Sequence, residues 1–225
     1  MTTTTPRKAN LYKGSMTGGE AREKIQRTAE RLGLTDVKFA PGTGLDAGAM
    51  SVTFRFGEAR VERTCATQPT LDANVACLAL WLDDRARNLE RGIETFAEAF
   101  ADSFVQATND NAAPVWNLTR VNYYEGSKSV EECIEVFRSA FARLHIPETD
   151  VKVTWDTEAN WARLRMRLPS GAIVEKVSRA QKTCLANLAC LALWLQSRAR
   201  NWERGIESLD LDRVFAGNLL PAKVA

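Results

Sequence analysis

The stretch Cys77-Leu-Ala-Leu-Trp-Leu82 recurs unchanged as Cys190-Leu-Ala-Leu-Trp-Leu195. Around it, Arg85-Ala-Arg-Asn88 returns as Arg198-Ala-Arg-Asn201, and Glu90-Arg-Gly-Ile-Glu94 as Glu203-Arg-Gly-Ile-Glu207. Upstream, Asn10-Leu-Tyr-Lys-Gly-Ser15 answers Asn122-Tyr-Tyr-Glu-Gly-Ser127, and Asp36-Val-Lys38 answers Asp150-Val-Lys152. The period is too long for a solenoid and there are only two units, so the pattern predicts a tandem duplication, a dimer fused into one chain with pseudo-twofold symmetry. The copies are placed at residues 1–104 and 119–225. A linker at 105–118 contains Asn109, Asn111 and Pro114.

Each copy has the same order of elements. Ala21, Ile25, Ala29 and Leu32, and likewise Cys133, Phe137, Phe141 and Leu144, stand three or four apart, which predicts an amphipathic first helix. Alternation follows in Val37-Lys-Phe39, in Val52, Phe54 and Phe56, and in Ala59-Arg-Val-Glu62. Val151-Lys-Val-Thr-Trp155, then Leu164, Met166 and Leu168, then Ala172-Ile-Val-Glu175 repeat it, predicting three antiparallel strands per copy. A long second helix then runs from about Thr70 to Ile93 and from Thr183 to Ile206. The expected class is α+β, an α-β-β-β-α module with a three-stranded antiparallel sheet and two helices, present twice.

Thirty basic and twenty-eight acidic side chains leave a net charge of +2, which excludes a protein that coats nucleic acid by bulk charge. Any phosphate-binding surface must be local. Five cysteines with no C-x-x-C pair indicate neither a disulfide framework nor a zinc ribbon, and they suit a reducing cytoplasm. No apolar run is long enough to span a membrane, so no membrane partner is expected. His145, the only histidine, lies in a turn before Pro147, which disfavours a histidine-based catalytic or metal site. No acid pair is spaced for general acid-base work. Neither a cofactor nor an enzyme is expected.

On the second helix Val75, Leu78, Leu82, Ala86, Leu89 and Ile93 form a core face. A different line, Asn74, Cys77, Trp81, Arg85 and Asn88, recurs without change as Asn187, Cys190, Trp194, Arg198 and Asn201. Two readings stand side by side. In one, each stripe packs against the other copy, with tryptophan as a buried anchor and Arg-Glu pairs as surface support. In the other, Trp81 and Trp194 offer stacking faces and Arg85, Arg91, Arg198 and Arg204 offer forked donors to phosphate. Asn88 and Asn201 then read polar edges in a groove shared by the copies. Tyr12 and Tyr124, ahead of Gly14 and Gly126, join that set as flanking candidates, although helix-entry turns explain their loops as well.

Val52-Thr-Phe-Arg-Phe56, Cys65, Asn74-Val-Ala-Cys-Leu-Ala79 and Glu90-Arg-Gly-Ile93 together resemble the region that precedes the J domain in J-domain-containing proteins of phages and mobile elements. The likeness covers most of the first copy and implies an origin in a mobile genome. Ser178 replaces Cys65 in the second copy, and the His-Pro-Asp tripeptide of a J domain is absent from the chain. The α-β-β-β-α order is also similar to that of double-stranded-RNA-binding domains, which place lysines at the start of their second helix. Lys176, Arg179 and Lys182 stand there in the second copy, and Cys65, Thr67 and Gln68 in the first.

The leading expectation is a non-catalytic cytoplasmic protein, working in the host bacterial cytoplasm as a phage counter-defence sponge if phage-encoded. It would capture a nucleotide-like, phosphate-bearing small molecule between the repeats. The alternatives are a module for double-stranded RNA or DNA, and an adaptor or inhibitor that docks a host protein. Homo-oligomers fit all three.

Overall fold

A computed structural model of the chain describes residues 10–43, 47–106, 121–208 and 210–220. In the N-terminal half, helix α1 (Gly18–Arg31) precedes strands β1 (Thr35–Pro41), β2 (Met50–Phe56) and β3 (Ala59–Cys65), and the 20-residue helix α2 (Leu71–Glu90) follows. A one-turn helix α3 (Phe96–Ala99) and a short strand β4 (Phe104–Gln106) complete it. The C-terminal half runs α4 (Val130–Leu144), β5 (Val151–Asp156), β6 (Trp161–Arg167), β7 (Ile173–Ser178), α5 (Cys184–Glu203) and a one-turn α6 (Leu211–Val214). The class is α+β, with antiparallel sheets ordered β1-β2-β3-β4 and β5-β6-β7. No described helix is long and apolar enough to cross a membrane.

The first sheet departs from the three strands expected. β4 pairs with the outer edge of β3, and the segment read as the start of the linker is therefore strand. Asn109, Asn111 and Pro114 lie outside the described residues. The C-terminal half ends in a related way, with Leu219 bridging to Val174 and the Leu220 N–H donating to the Ile173 carbonyl. Elements this short carry no periodic signal that a sequence reading could use.

Local chemistry sets the long elements. Thr17 and Ser129 cap α1 and α4 in capping boxes closed by Glu20 and Glu132. Thr70 and Thr183 cap α2 and α5. Alternation turns Met50, Val52 and Phe54 of β2, and Ala162, Leu164 and Met166 of β6, inward against the helices.

The Arg-Gly-Ile-Glu turns decide how the halves meet. Gly92 and Gly205 follow the helix ends with φ of 68° and 69°, a left-handed conformation that glycine adopts without a steric penalty. Their N–H groups donate to Leu89 and Trp202, and the next residues, Ile93 and Ile206, donate to Asn88 and Asn201. Both ends are Schellman motifs. Each turn throws its isoleucine across the boundary: Ile93 packs in the core of the C-terminal half, and Ile206 in the core of the N-terminal half.

The Tyr-x-Gly-Ser segments are latches. Tyr12 folds back so that its hydroxyl accepts from the Met16 N–H at 3.2 Å, while its own N–H donates to Gln68 at 2.7 Å. Tyr124 repeats this with Lys128 and with Gln181 at 2.7 Å. Asn10 donates to the Glu203 carbonyl and Asn122 to that of Glu90, both at 2.8 Å, so each segment straps onto the opposite half. A methyl group on Gly14 or Gly126 would overlap the tyrosine ring. Gly126→Ala should therefore lower stability by about 1–3 kcal/mol in denaturant unfolding. Gly19→Ala, inside α1 where an added methyl would meet only the Thr17 hydroxyl at 4.0 Å, should leave it unchanged or raise it by about 0.5–1 kcal/mol.

Candidate functional site

The tryptophan, arginine and asparagine rows meet at the boundary between the halves, closed to solvent. Trp81 and Trp194 are 0 % exposed, and Arg85 and Arg198 are 0 % and 1 % exposed. The indoles are covered by the phenylalanines that end the one-turn helices: Trp81 packs 5.7 Å from Phe100, and Trp194 5.8 Å from Phe215. The expected open stacking faces are corrected to interior anchors, because α3 and α6 supply aromatic lids.

The guanidinium groups are held by carboxylates from the opposite half. Arg85 bonds Glu207, and Arg198 bonds Glu94. The diagonal approaches, Arg85 to Glu94 at 3.9 Å and Arg198 to Glu207 at 3.8 Å, close a ring of alternating charge. Arg63 of β3 adds a third ion pair with Asp102, donates to the Ile206 carbonyl at 3.1 Å and lies over Trp81 at 5.4 Å. Three cations and three anions cancel, which is what a buried charged cluster requires.

Asn88 donates to Ser197 and Asn201 to Asp84, each at 3.3 Å and each across the boundary. Their polar edges are spent on protein groups. Arg91 and Arg204, half-exposed, are the C-caps of α2 and α5. Their carbonyls accept from Gln181 at 2.9 Å and Gln68 at 3.3 Å of the opposite halves. Tyr12 and Tyr124 belong to the latches. The ten residues expected to hold a ligand are thus brought to the boundary or its rim, and the hollow they would line is filled by their own side chains.

The two carboxylates differ. Burial is the largest influence on Glu94 and pushes its carboxyl up, but Arg198, Arg85 and Lys176, with the Trp194 indole donating at 2.8 Å, outweigh it and hold its pKa at about 2. For Glu207 burial wins over Arg85 and Arg198, and its pKa is raised. Among the described residues the Trp81 indole N–H has no partner where Trp194 has Glu94, and Asp102 pushes Glu207 further up.

The lysine cluster suggested by RNA-binding domains is also altered. Lys176 is 6 % exposed and bonds Glu98 of the opposite half at 2.8 Å, leaving Arg179 and Lys182 exposed.

A second surface carries exposed cations. The face of the second sheet turned away from the helices presents Trp161, Arg163, Arg165 and Arg167 in one column of β6, with Lys152 and Thr154 beside them on β5. Arg163 lies over the Trp161 ring at 5.0 Å. Lys152 pairs directly across from Arg165, a like-charge juxtaposition that destabilises a sheet. Glu175 flanks Arg165 on β7, and Asp156 stands opposite Trp161. Among the described residues, Lys152, Arg165 and Arg167 form no ion pair. A groove of about 370 Å³ opens there, lined by Asp150, Lys152, Arg165, Arg167, Met166 and Ile173. The corresponding face of the first sheet is compensated: Arg55 pairs with Asp36 at 3.5 Å and Arg60 with Glu62 at 3.2 Å. Sequence alternation identifies β6 through its apolar half, and its basic half is not among the expected site residues.

No family model, curated protein or solved structure matches the chain.

Removing one member of the buried ring strands the others. Arg85→Ala or Glu94→Gln should each cost about 3–5 kcal/mol in denaturant unfolding. Glu94 also sets an acid limb. Because its folded pKa of about 2 lies below its ordinary 4.5, its contribution is complete above about pH 4.5 and is lost as pH falls toward 2. Glu207, shifted the other way, gains as pH falls and offsets part of this. Stability measured between pH 6 and 2 should therefore fall less steeply in Glu94→Gln than in the parent; an unchanged slope would refute the assignment.

Proposed function

We propose that the chain is a duplicated, pseudo-twofold binding protein without catalytic activity, and that it holds a phosphate-bearing ligand on the outer face of its second sheet. The observation that carries this is the set Lys152, Arg165 and Arg167: exposed cations around one groove, with no ion pair among the described residues. Forked guanidinium donors match phosphate oxygens in pairs, and a lysine adds a point charge. Like charges set directly across a strand pair, as Lys152 and Arg165 are, cost the fold stability, and a bound anion would relieve that cost.

The capture reading keeps its ligand chemistry and changes its place. A pocket between the repeats would need the Arg85 and Arg198 guanidinium groups to leave Glu207 and Glu94, exchanging buried charge-assisted bonds for a ligand. The duplication is supported by the reciprocity of the boundary, where Arg85–Glu207 answers Arg198–Glu94 and Asn10–Glu203 answers Asn122–Glu90. Such pairing, residue i on j and j on i, is the mark of an isologous interface. The reading then places the shared chemistry in the interior and the binding surface on one copy.

Inorganic pyrophosphate and adenosine diphosphate are direct probes. Either, well above its dissociation constant, should raise the melting temperature, with about 2.7 kcal/mol of stabilisation at a hundredfold excess. Arg165→Ala/Arg167→Ala should abolish the shift while melting normally without ligand. A parent protein indifferent to both probes sinks the reading.

A further inference from the structure

Resting on that placement of the binding surface, we infer that the occupant is a single strand of nucleic acid laid along β6, its phosphates on the arginine column and a base on the Trp161–Arg163 platform. Three features of the surface point beyond a small molecule. First, the column is longer than the groove. From Trp161 to Arg167 it spans seven residues, about 20 Å at strand rise, while the groove occupies only the Arg165–Arg167 end. Second, the far end is aromatic. Trp161 is half-buried with the Arg163 guanidinium over its ring at 5.0 Å, so an indole and a guanidinium, groups on which unstacked bases settle, stand together at that end. Third, cations continue past that end. Arg179, just after β7, is exposed, and so is Lys182, whose ammonium lies over the Tyr123 ring at 4.5 Å.

The geometry favours a single strand over a duplex. Reading a duplex groove takes a helix or ribbon that projects into it, whereas this face is an open sheet whose polar and aromatic side chains stand in its own surface. The acidic neighbours Asp150, Asp156 and Glu175 interrupt the positive field, so the surface is an alternation of contacts and not a uniform basic patch. Near-neutral net charge fits a local track of this kind. On the first sheet the corresponding arginines are already paired, and no strand is expected there.

The test is fluorescence anisotropy of the full chain with a labelled oligothymidylate of about twelve nucleotides, within the usual span of a sheet-borne site. Binding should weaken with salt, and Arg165→Ala/Arg167→Ala should weaken it about tenfold or more and flatten the log–log salt slope by about 1.4, or 0.7 for each phosphate no longer neutralised. Trp161→Ala should weaken it about 5- to 100-fold with the slope unchanged, since stacking releases no counterions. Trp161→Phe should restore most of the affinity and guards against a folding defect. Arg55→Ala/Arg60→Ala, on the other sheet, should bind as the parent does.

Duplex of equal length bound as tightly as the single strand, polyglutamate displacing the oligonucleotide equally well, or a double variant that binds normally would each overturn the inference. Pyrophosphate stabilisation without oligonucleotide binding would overturn the single strand while leaving the groove reading standing. Failure of both probes would remove the two together.

Discussion

Glu94 and Glu207 are pinned between two guanidinium groups at the boundary of the halves, and the arrangement of the chain around that boundary follows from the need to bury them well. A carboxylate removed from water is tolerated only when opposite charge and hydrogen bonds replace its hydration. Here the direct bonds come from the other half in each direction, while the longer Arg85–Glu94 and Arg198–Glu207 approaches lie within one half. Without Glu207, Arg85 would lose its directly bonded carboxylate, and without Arg198, Glu94 would lose its directly bonded guanidinium. The ring selects one mutual orientation of the halves more than it strengthens any, since an apolar interface of similar volume could be as stable and far less discriminating.

The backbone that delivers these groups is itself a product of helix termination. Each long helix must satisfy its last carbonyls, and a Schellman turn does so with glycine in the left-handed region. The same turn fixes the direction of the next two side chains. The isoleucine enters the opposite core, and the glutamate reaches the opposite arginine. Gln68 and Gln181 then bond the carbonyls of Arg204 and Arg91, tying the loop before each long helix to the end of the other. Glu-Arg-Gly-Ile-Glu is thus a single device: stop the helix, cross the boundary, neutralise the partner.

That device explains what the sequence could and could not reveal. The repeat, the α-β-β-β-α order and the core faces were legible because periodicity records burial directly. The fate of the Trp-Arg-Asn rows was not, since periodicity says that residues share a face and is silent on what covers it. Their partners sit outside helical spacing, on the far side of a glycine, so Glu94 and Glu207 looked like surface charges. Their recurrence beyond the helix stop, in the same register as two unchanged arginines, was the available signal. The lids α3 and α6 are four residues each, too short to announce themselves. On β6 the signal is in the alternation itself: in Trp161-Ala-Arg-Leu-Arg-Met-Arg167 the basic positions are as regular as the apolar ones.

The two halves therefore keep in common what the boundary demands and differ where solvent begins. Inside, Trp81, Arg85, Asn88 and Glu94 correspond position by position to Trp194, Arg198, Asn201 and Glu207. Outside, the first sheet pairs its arginines with Asp36 and Glu62, while the second leaves Lys152, Arg165 and Arg167 uncompensated among the described residues. An interior locked by reciprocal charge is poorly suited to admit a ligand, because each departure leaves an ion unpaired at a cost of several kcal/mol. An outer sheet face has no such obligation, and its strands hold side chains at fixed spacing without relying on loops. Because the interactions that join the halves lie at the boundary, one outer face can depart from the other without touching them.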